Sequence, residues 1–235
     1  DGTFHGIVQP RFALGSSYNI PAVRTLALNS VKEFVPFANR MGLSTLEDPD
    51  RYGLSLTLGG GEVKMVDMVK AFGVFANAGI KQELVSILKV EDYNGKTLQT
   101  LEVLEGDRVI TPGVAYIISH ILYDNNARSP AFGASSALNV GGHPEVSVKT
   151  GTTNDKRDNW TIGFTPELVG ATWVGNNNNE PMSAVASGIT GASPIWNKIM
   201  KFTLDKIERG EISGTGINRE THSHVYTPIP DDVVG

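Results

Sequence analysis

The sequence has no cysteine, which excludes disulfide bonds, a thiolate nucleophile and zinc sites built on cysteine. It has no apolar run close to the about 20 residues that a membrane-spanning helix needs. With 20 lysines and arginines against 25 acidic residues, the net charge is −5, and no basic surface for nucleic acid is indicated. The five histidines are scattered along the chain. We therefore expect no metal and no other cofactor.

Apolar residues make up 40% of the 235 residues, which is enough for a sizeable hydrophobic core. We predict one domain over residues 1–210, followed by a polar, proline-containing tail over residues 211–235. Three local signals mark helix ends within the domain. They are the capping box Ser30–Glu33, the stop signal Gly42, and the N-cap and first-turn pair Thr111–Pro112.

A hairpin subregion is predicted over residues 83–105. Its signal is Asn94–Gly95, a dipeptide that favours a tight hairpin turn. The turn lies between two segments of strand-like composition, residues 85–90 and 97–103.

The second half of the domain predicts a larger sheet. Its strands are expected at residues 146–150, 160–164 and 168–174. The predicted fold class is therefore α/β, an antiparallel sheet flanked by helices. The segment 125–145, rich in Gly, Ser, Ala and Pro, is expected to be a mobile loop at the rim of a cleft.

The first of these strands ends in an unusual motif, Lys149-Thr150-Gly151-Thr152. A cation and hydroxyl donors can hold a carboxylate. Gly151 lets a bound peptide lie against the strand edge, where it can add as a further strand. The alternative interpretation is a solvated lysine followed by threonines that simply suit a strand.

A second motif, Ser17-x-Asn19, stands at the start of a predicted helix. Its serine can relay a proton, and its asparagine amide can both donate and accept hydrogen bonds. By itself the motif is also typical of an ordinary helix N-cap. In combination with Lys149, 132 positions further on, the pattern is much less likely by chance than either motif alone.

The two motifs together resemble the transpeptidase domain of penicillin-binding proteins, of the class A, bifunctional kind. The resemblance extends over about residues 4 to 205 and includes further segments in the family's order. These are "YGLSLTLGGGEVKMVDMVKAFGVFANAGI", "GVAYIISHIL", "VKTGTTNDKRDNWTIGFTPELVGATWVGNN" and "SGITGASPIWNKIM".

The resemblance implies a role for each motif residue. Ser17 and Lys149 would belong to the proton-transfer network around a serine nucleophile. Asn19 would bind the donor stem peptide. Thr150 and Thr152 would bind the carboxylate of D-Ala-D-Ala or of a penicillin, and the backbone N–H of Thr152 would be one of two oxyanion-hole donors. Supporting structural roles are implied for Thr153, Asn154, Asp158 and Trp160.

The chain departs from the family pattern at the nucleophile. The family carries it in Ser-x-x-Lys, upstream of Ser-x-Asn and at the start of a buried helix. Only Ser86 and Lys89 have this spacing here, and they lie downstream, in the first predicted hairpin strand. Residues three apart in a strand face opposite sides, so this pair is not expected to cooperate.

The resemblance therefore implies a C-terminal fragment of a D,D-transpeptidase. The nucleophile, two strands and a central helix would come from the missing N-terminal part of the same domain. The whole protein would cross-link peptidoglycan through an acyl-serine at the outer face of the bacterial cytoplasmic membrane, held by an anchor outside this chain. Its partners would be D-Ala-D-Ala stem peptides and β-lactams, and the fragment alone would be inactive.

Two alternatives stay open. A β-lactamase or D,D-carboxypeptidase of the same fold would use water in place of an amine as acyl acceptor, and an assay for amine-dependent product separates these enzymes. A non-catalytic scaffold domain would lack the serine altogether, and a reading frame without Ser-x-x-Lys upstream would identify it.

Overall fold

The computed structural model describes residues 4–101, 106–182, 190–212 and 229–234. In these ranges the α-helices are α1 (Pro10–Gly15), α2 (Asn19–Asn29), α3 (Val31–Met41), α4 (Met65–Ala76), α5 (Pro112–Tyr123), α6 (Asn125–Phe132), α7 (Ala192–Glu208) and α8 (Asp231–Val234). The strands are β1 (Ile80–Lys81), β2 (Lys89–Glu91), β3 (Thr97–Thr100), β4 (Asp107–Arg108), β5 (Ser147–Thr152), β6 (Asp158–Phe164) and β7 (Val169–Gly175). Short 3₁₀ helices cover Pro49–Arg51, Leu54–Leu58 and Asn154–Lys156.

The predicted antiparallel sheet is confirmed as β5-β6-β7, in that order. Each observed strand lies within two residues of its predicted bounds. Lys149 is opposite Ile162 across the first pair of strands, and Trp160 is opposite Trp173 across the second. The α/β fold class is confirmed by this sheet and the helices around it.

Helix α7 covers one face of the sheet. Its buried Trp196, Met200 and Leu204 pack with Val146 and Val148 in one hydrophobic cluster. The Trp196 indole donates a hydrogen bond of 3.0 Å to the carbonyl of Gly170 in β7. A side chain at either Gly163 or Gly170 would collide with α7, so glycine at these positions allows the helix to approach the sheet closely.

The opposite face of the sheet packs against α4 and α5. Fully buried Phe164 contacts Phe72 and Phe75 of α4 at ring-centroid distances of 6.0 and 6.4 Å. Ser147 donates a hydrogen bond of 2.9 Å to the carbonyl of Ser119 in α5. Because side chains alternate along a strand, Lys149 shares the α5 side with Ser147, while Thr150 and Thr152 share the α7 side with Val148.

The helix boundary signals are confirmed. Ser30 accepts a hydrogen bond from the backbone N–H of Glu33, and Gly42 ends α3 in the left-handed region at φ +114°. Thr111 accepts from the N–H of Val114 at the start of α5.

The prediction of a loop over residues 125–145 was wrong for its first part, because α6 occupies Asn125–Phe132. Asp124 caps this helix by accepting from the N–H groups of Asn126 and Ala127. Buried Arg128 donates to the carbonyls at the end of α5. These hydrogen bonds stabilise a helix that its Ser- and Pro-containing composition does not indicate.

The predicted hairpin is present but short, and every residue of β2 and β3 is exposed. The sequence placed Ser86 inside the first strand, and this was wrong, since Ser86 lies in a bend before β2. Lys89 Nζ pairs with Glu91 Oε1 at 2.5 Å. The pairing of β2 with β3 shifts register between Val90 and Glu91, so the strand is shorter than alternation alone predicts.

The predicted tail is described only at its two ends, because residues 213–228 lie outside the described residues. Near the C-terminus, Asp232 of α8 accepts a hydrogen bond of 3.0 Å from the N–H of Gly113 in α5. Within the described ranges, no helix has the length and apolar character to cross a membrane.

Candidate active site

Ser17 lies in the turn between α1 and α2, in the left-handed backbone region at φ +59°. The turn is fixed on both sides of this residue. Buried Ser16 donates to the carbonyl of Ala127 in α6 at 2.8 Å, and the N–H of Tyr18 donates to the carbonyl of Ala13 at 2.9 Å. Non-glycine residues seldom adopt this conformation, so these contacts hold Ser17 in a defined orientation.

Lys149 meets Ser17 across 132 positions of sequence. Its Nζ lies 2.6 Å from Ser17 Oγ and 2.6 Å from the carbonyl oxygen of Thr150. Both partners are neutral oxygens, so neither supplies a negative charge to the ammonium. Burial of the side chain lowers the pKa of Lys149 from 10.5 to about 8.

The lowered pKa suits Lys149 to proton transfer. A group exchanges protons most effectively when its pKa is close to the working pH. The short contact with Ser17 Oγ gives the proton a direct path between the amine and the hydroxyl. The pair can therefore take up or deliver a proton at the edge of the sheet.

Strand β5 presents its outer edge to the space beside Ser17. The N–H of Thr153 donates to the carbonyl of Asp158 in β6 at 3.1 Å. Main-chain groups alternate in direction along an antiparallel strand, so the N–H and C=O of Thr152 point away from β6. The carbonyl of Thr150 also points away from β6, and Lys149 Nζ contacts it on that side. Among the described strands, only β6 pairs with β5.

The two threonines of the motif share the α7 side of the strand edge. Thr150 is buried, with 9% of its surface exposed, whereas Thr152 is exposed. Gly151 is exposed between them, and an added Cβ there would contact only the Cβ of Trp160, at 3.6 Å. The edge is thus open to a ligand at Gly151 and Thr152.

Asn19 is the first residue of α2 and is exposed. Its position two residues after Ser17 places it at the same helix end as the Ser17–Lys149 pair. The structure therefore brings Ser17 and Lys149 into contact, with Asn19 nearby in sequence and the Thr152 amide on the same strand edge as Lys149.

The supporting residues form a network in the turn from β5 to β6. Thr153 Oγ1 donates to Asp158 Oδ2 at 3.0 Å, and the indole of Trp173 donates to Asp158 Oδ1 at 2.9 Å. These bonds fix the turn that follows Thr152.

Asn159 was missed by the sequence reasoning. It is fully buried in β6, directly opposite Thr152. Its Nδ2 donates to Thr152 Oγ1 at 3.1 Å, and its Oδ1 accepts from the N–H of Ala192 at 2.7 Å. An amide side chain at an inward strand position was the available signal, since such groups are buried only when hydrogen-bonded.

A second polar cluster lies at the C-terminal end of α7. It consists of His143, Asp205 and Glu208, each of which has one potential metal-binding atom within 4.8 Å of the others. His143 Nε2 is 3.0 Å from Asp205 Oδ1. Lys201 binds both oxygens of the same carboxylate, at 3.0 and 2.9 Å. The lysine already supplies the positive charge that a metal would provide, so we assign no metal to this cluster.

The chain is similar to curated penicillin-binding proteins. No protein-family model matches it. Penicillin-binding protein 1A of Neisseria lactamica is 32% identical over 227 residues, which cover 92% of this chain and 28% of that protein. Penicillin-binding protein 1A of Clostridium acetobutylicum is 31% identical over 223 residues, covering 92% of this chain and 26% of that protein. The chain thus spans little more than a quarter of these relatives.

Solved structures show the same fold. Penicillin-binding protein 1A from Haemophilus influenzae matches 84% of this chain and 34% of its own, with a TM-score of 0.72 and 26% identity. PonA1 from Mycobacterium tuberculosis, solved in complex with penicillin V, matches 97% of this chain and 64% of its own, with a TM-score of 0.69 and 25% identity. Sequence and structure agree that the chain is homologous to a region of the class A penicillin-binding proteins.

Proposed function

We propose that this chain forms part of a peptidoglycan D,D-transpeptidase and supplies one wall of its acyl-transfer site. The observation that carries the proposal is the contact between Lys149 Nζ and Ser17 Oγ at 2.6 Å. Burial lowers the pKa of this lysine to about 8. Any buried amine needs hydrogen-bond partners, and the Thr150 carbonyl already supplies one to Lys149. A proton-transfer pair also needs the hydroxyl.

The proposed reaction begins with attack of a serine hydroxyl on the penultimate carbonyl of a D-Ala-D-Ala peptide, and the hydroxyl proton passes to the lysine of the same Ser-x-x-Lys segment. The tetrahedral intermediate collapses to an acyl-serine and releases D-Ala, whose amine must gain a proton. Ser17 is positioned to deliver this proton and to be reprotonated by Lys149. An amine of a neighbouring stem peptide then takes the acyl group and regenerates the serine.

The strand edge would bind the peptide as an added strand. The hydroxyls of Thr150 and Thr152 would bind the terminal carboxylate, and Asn19 would bind the donor stem peptide through its amide. The outward N–H of Thr152 would stabilise the oxyanion, an interaction whose loss typically costs about 10²–10³ in rate. Open backbone at Gly151 allows this close approach.

The nucleophile is assigned to a Ser-x-x-Lys segment that is not among these 235 residues. Ser86 does not supply it, because Lys89 is paired with Glu91 and the segment is on the exposed hairpin. Residues 1–210 would therefore complete a catalytic domain together with a further segment of the protein. We place that protein at the outer face of the bacterial cytoplasmic membrane, where its peptidoglycan substrate lies.

A fluorescent penicillin tests the proposal. After incubation and a denaturing gel, we expect no labelled band from the 235-residue chain and a labelled band from the full-length protein. Removal of the serine of its Ser-x-x-Lys segment should abolish the label. A label on the 235-residue chain that Ser17→Ala or Ser86→Ala abolishes would show that the nucleophile has been misassigned.

The acyl acceptor is tested separately. The full-length protein should form a cross-linked product from a D-Ala-D-Ala donor only when an amine acceptor is present. Hydrolysis at the same rate with and without the amine would assign the protein to the carboxypeptidases or β-lactamases of this fold. A full-length protein that contains no Ser-x-x-Lys and takes no label would be a non-catalytic scaffold.

A further inference from the structure

We propose that Asn159 is a positioning residue that fixes the Thr152 hydroxyl as a hydrogen-bond donor toward the carboxylate of the bound ligand. The inference rests on the proposed function, in which Thr152 binds that carboxylate. It concerns a buried residue on β6, one strand away from the open edge.

The direction of the Asn159 amide follows from its surroundings. The main-chain N–H of Ala192 can only donate, and it lies 2.7 Å from one end of the amide. That end must therefore be the carbonyl oxygen. The other end is the NH₂ group, and it faces Thr152 Oγ1 at 3.1 Å.

This direction determines what the Thr152 hydroxyl can do. A hydroxyl has one proton to donate and two lone pairs to accept with. The amide NH₂ of Asn159 occupies one lone pair from inside the protein. The proton of Thr152 is then left for the exposed side of the strand, where an anionic carboxylate would accept it.

Asn159 is not the only residue of the sheet that is hydrogen-bonded to α7. Thr161 and Ser193 share a buried hydrogen bond of 2.8 Å between their hydroxyls. The Trp196 indole binds the Gly170 carbonyl at 3.0 Å. The attachment of α7 therefore has other support. Within the described part of the chain, the Thr152 hydroxyl has one hydrogen-bond partner, Asn159.

Replacement by aspartate separates the two bonds. In Asn159→Asp, a carboxylate still accepts from the N–H of Ala192, so the helix attachment is kept. Its second oxygen has no proton to give, so it accepts from Thr152 and turns the hydroxyl proton inward. The added negative charge also opposes a ligand carboxylate. Asn159→Leu is a second variant of similar size, which removes both bonds without adding charge.

The experiment measures penicillin acylation of the full-length protein that contains this region. Rapid mixing separates the dissociation constant of the initial complex from the rate of acylation within it. The probes are benzylpenicillin and its methyl ester, which lacks the anionic carboxylate. Asn159→Asp, Asn159→Leu, Thr152→Val and the two double variants are compared, with thermal unfolding of each as a folding control.

We expect Asn159→Asp to weaken the benzylpenicillin complex roughly tenfold or more, because a hydrogen bond to a charged group is lost. The effect of Asn159→Leu should be smaller. The acylation rate within the complex should change less than about threefold, because the carboxylate interaction is the same in the complex and in the transition state. The methyl ester should be affected by less than about twofold, because it lacks the anionic carboxylate. In the Thr152→Val background the Asn159 substitutions should add almost nothing.

Equal losses for benzylpenicillin and its ester, or losses that persist in the Thr152→Val background, would overturn the positioning role. Thr152→Val without effect on benzylpenicillin binding, in a protein that still labels, would remove the role of Thr152 and of Asn159 with it. A full-length protein that contains Ser-x-x-Lys and takes no label would instead refute the proposed function.

Discussion

All residues of the hairpin strands β2 and β3 are exposed, whereas no residue of β6 is. Both regions carry strand-favouring sequence next to turn signals. The central sheet has α7 on one face and α4 and α5 on the other. The hairpin has no such layer within the described residues. Burial is thus decided by what the rest of the chain places against a strand, and not by the strand's own pattern.

The same comparison holds for two serine–lysine pairs. Ser86 and Lys89 match the nucleophile spacing, but Lys89 is about half exposed and pairs with a carboxylate. Ser17 and Lys149 match no spacing of that kind, yet they are in contact beside the edge of β5, where both are partly buried. Chemistry follows the environment of the pair, because burial lowers the pKa of the Lys149 amine to about 8.

The largest difference between the two pairs should appear in acylation. In the full-length protein, Lys149→Met should slow penicillin acylation about 10²–10⁴-fold, the usual contribution of a proton-transfer group. The matched control Lys89→Met should leave the rate within about twofold, since an exposed ion pair contributes little. Stopped-flow labelling measures both, and similar rates for the two variants would refute the assignment.

The two regions should also differ in stability. Trp196→Ala, beneath the sheet, should lower the free energy of unfolding of the 235-residue chain by about 3–5 kcal/mol. Leu98→Ala, on a hairpin strand with 62% of its surface exposed, should lower it by less than about 0.5 kcal/mol. Urea unfolding followed by tryptophan fluorescence and circular dichroism measures both. Comparable losses would mean that the hairpin packs on a surface in solution.

Lys149 should make stability depend on pH. Its pKa is about 8 in the folded chain against 10.5 for an unperturbed lysine. Between these values the unfolded chain binds a proton that the folded chain has released, so the free energy of unfolding rises with pH. The rise should reach up to about 3 kcal/mol relative to Lys149→Met, measured by urea unfolding from pH 7.5 to roughly 10.5. A difference that does not change with pH would show that Lys149 keeps an ordinary pKa.

The smallest effect is expected at the hairpin turn. Asp92 Oδ1 accepts hydrogen bonds from the N–H groups of Asn94 and Lys96, at 2.8 and 2.9 Å. Asp92→Ala should open the turn and speed amide hydrogen exchange there, while global stability falls by less than about 0.5 kcal/mol. Exchange within β6 serves as the control. Faster exchange in β6 would show that the hairpin and the sheet unfold together.

Much of the local structure could be predicted from the sequence, because the signals act over a few residues. The capping bond of Ser30 and the glycine stop at Gly42 depend only on neighbouring backbone groups. The strands of the central sheet follow from alternation and turn residues. The family could be identified because its motifs keep their order and spacing over most of the chain.

Other features were decided by tertiary structure. Helix α6 is held by Ser16, which donates a hydrogen bond to the carbonyl of Ala127 from 111 positions away, and no local pattern indicates that. Asn159 is buried with both ends of its amide bonded because α7 brings the Ala192 amide to it. These partners are distant in sequence, so a pattern over a few residues cannot reveal them.

The sequence by itself determined which groups the molecule has available: a lysine at a strand end, a serine and an asparagine at a helix start, and no thiol. The tertiary structure decided which of these groups are in contact and how far each is buried from water. Ser17 and Lys149 are in contact only because the turn before α2 packs beside the edge of β5. Burial there lowers the pKa of Lys149 to about 8, since removing water destabilises the charged amine more than the neutral one.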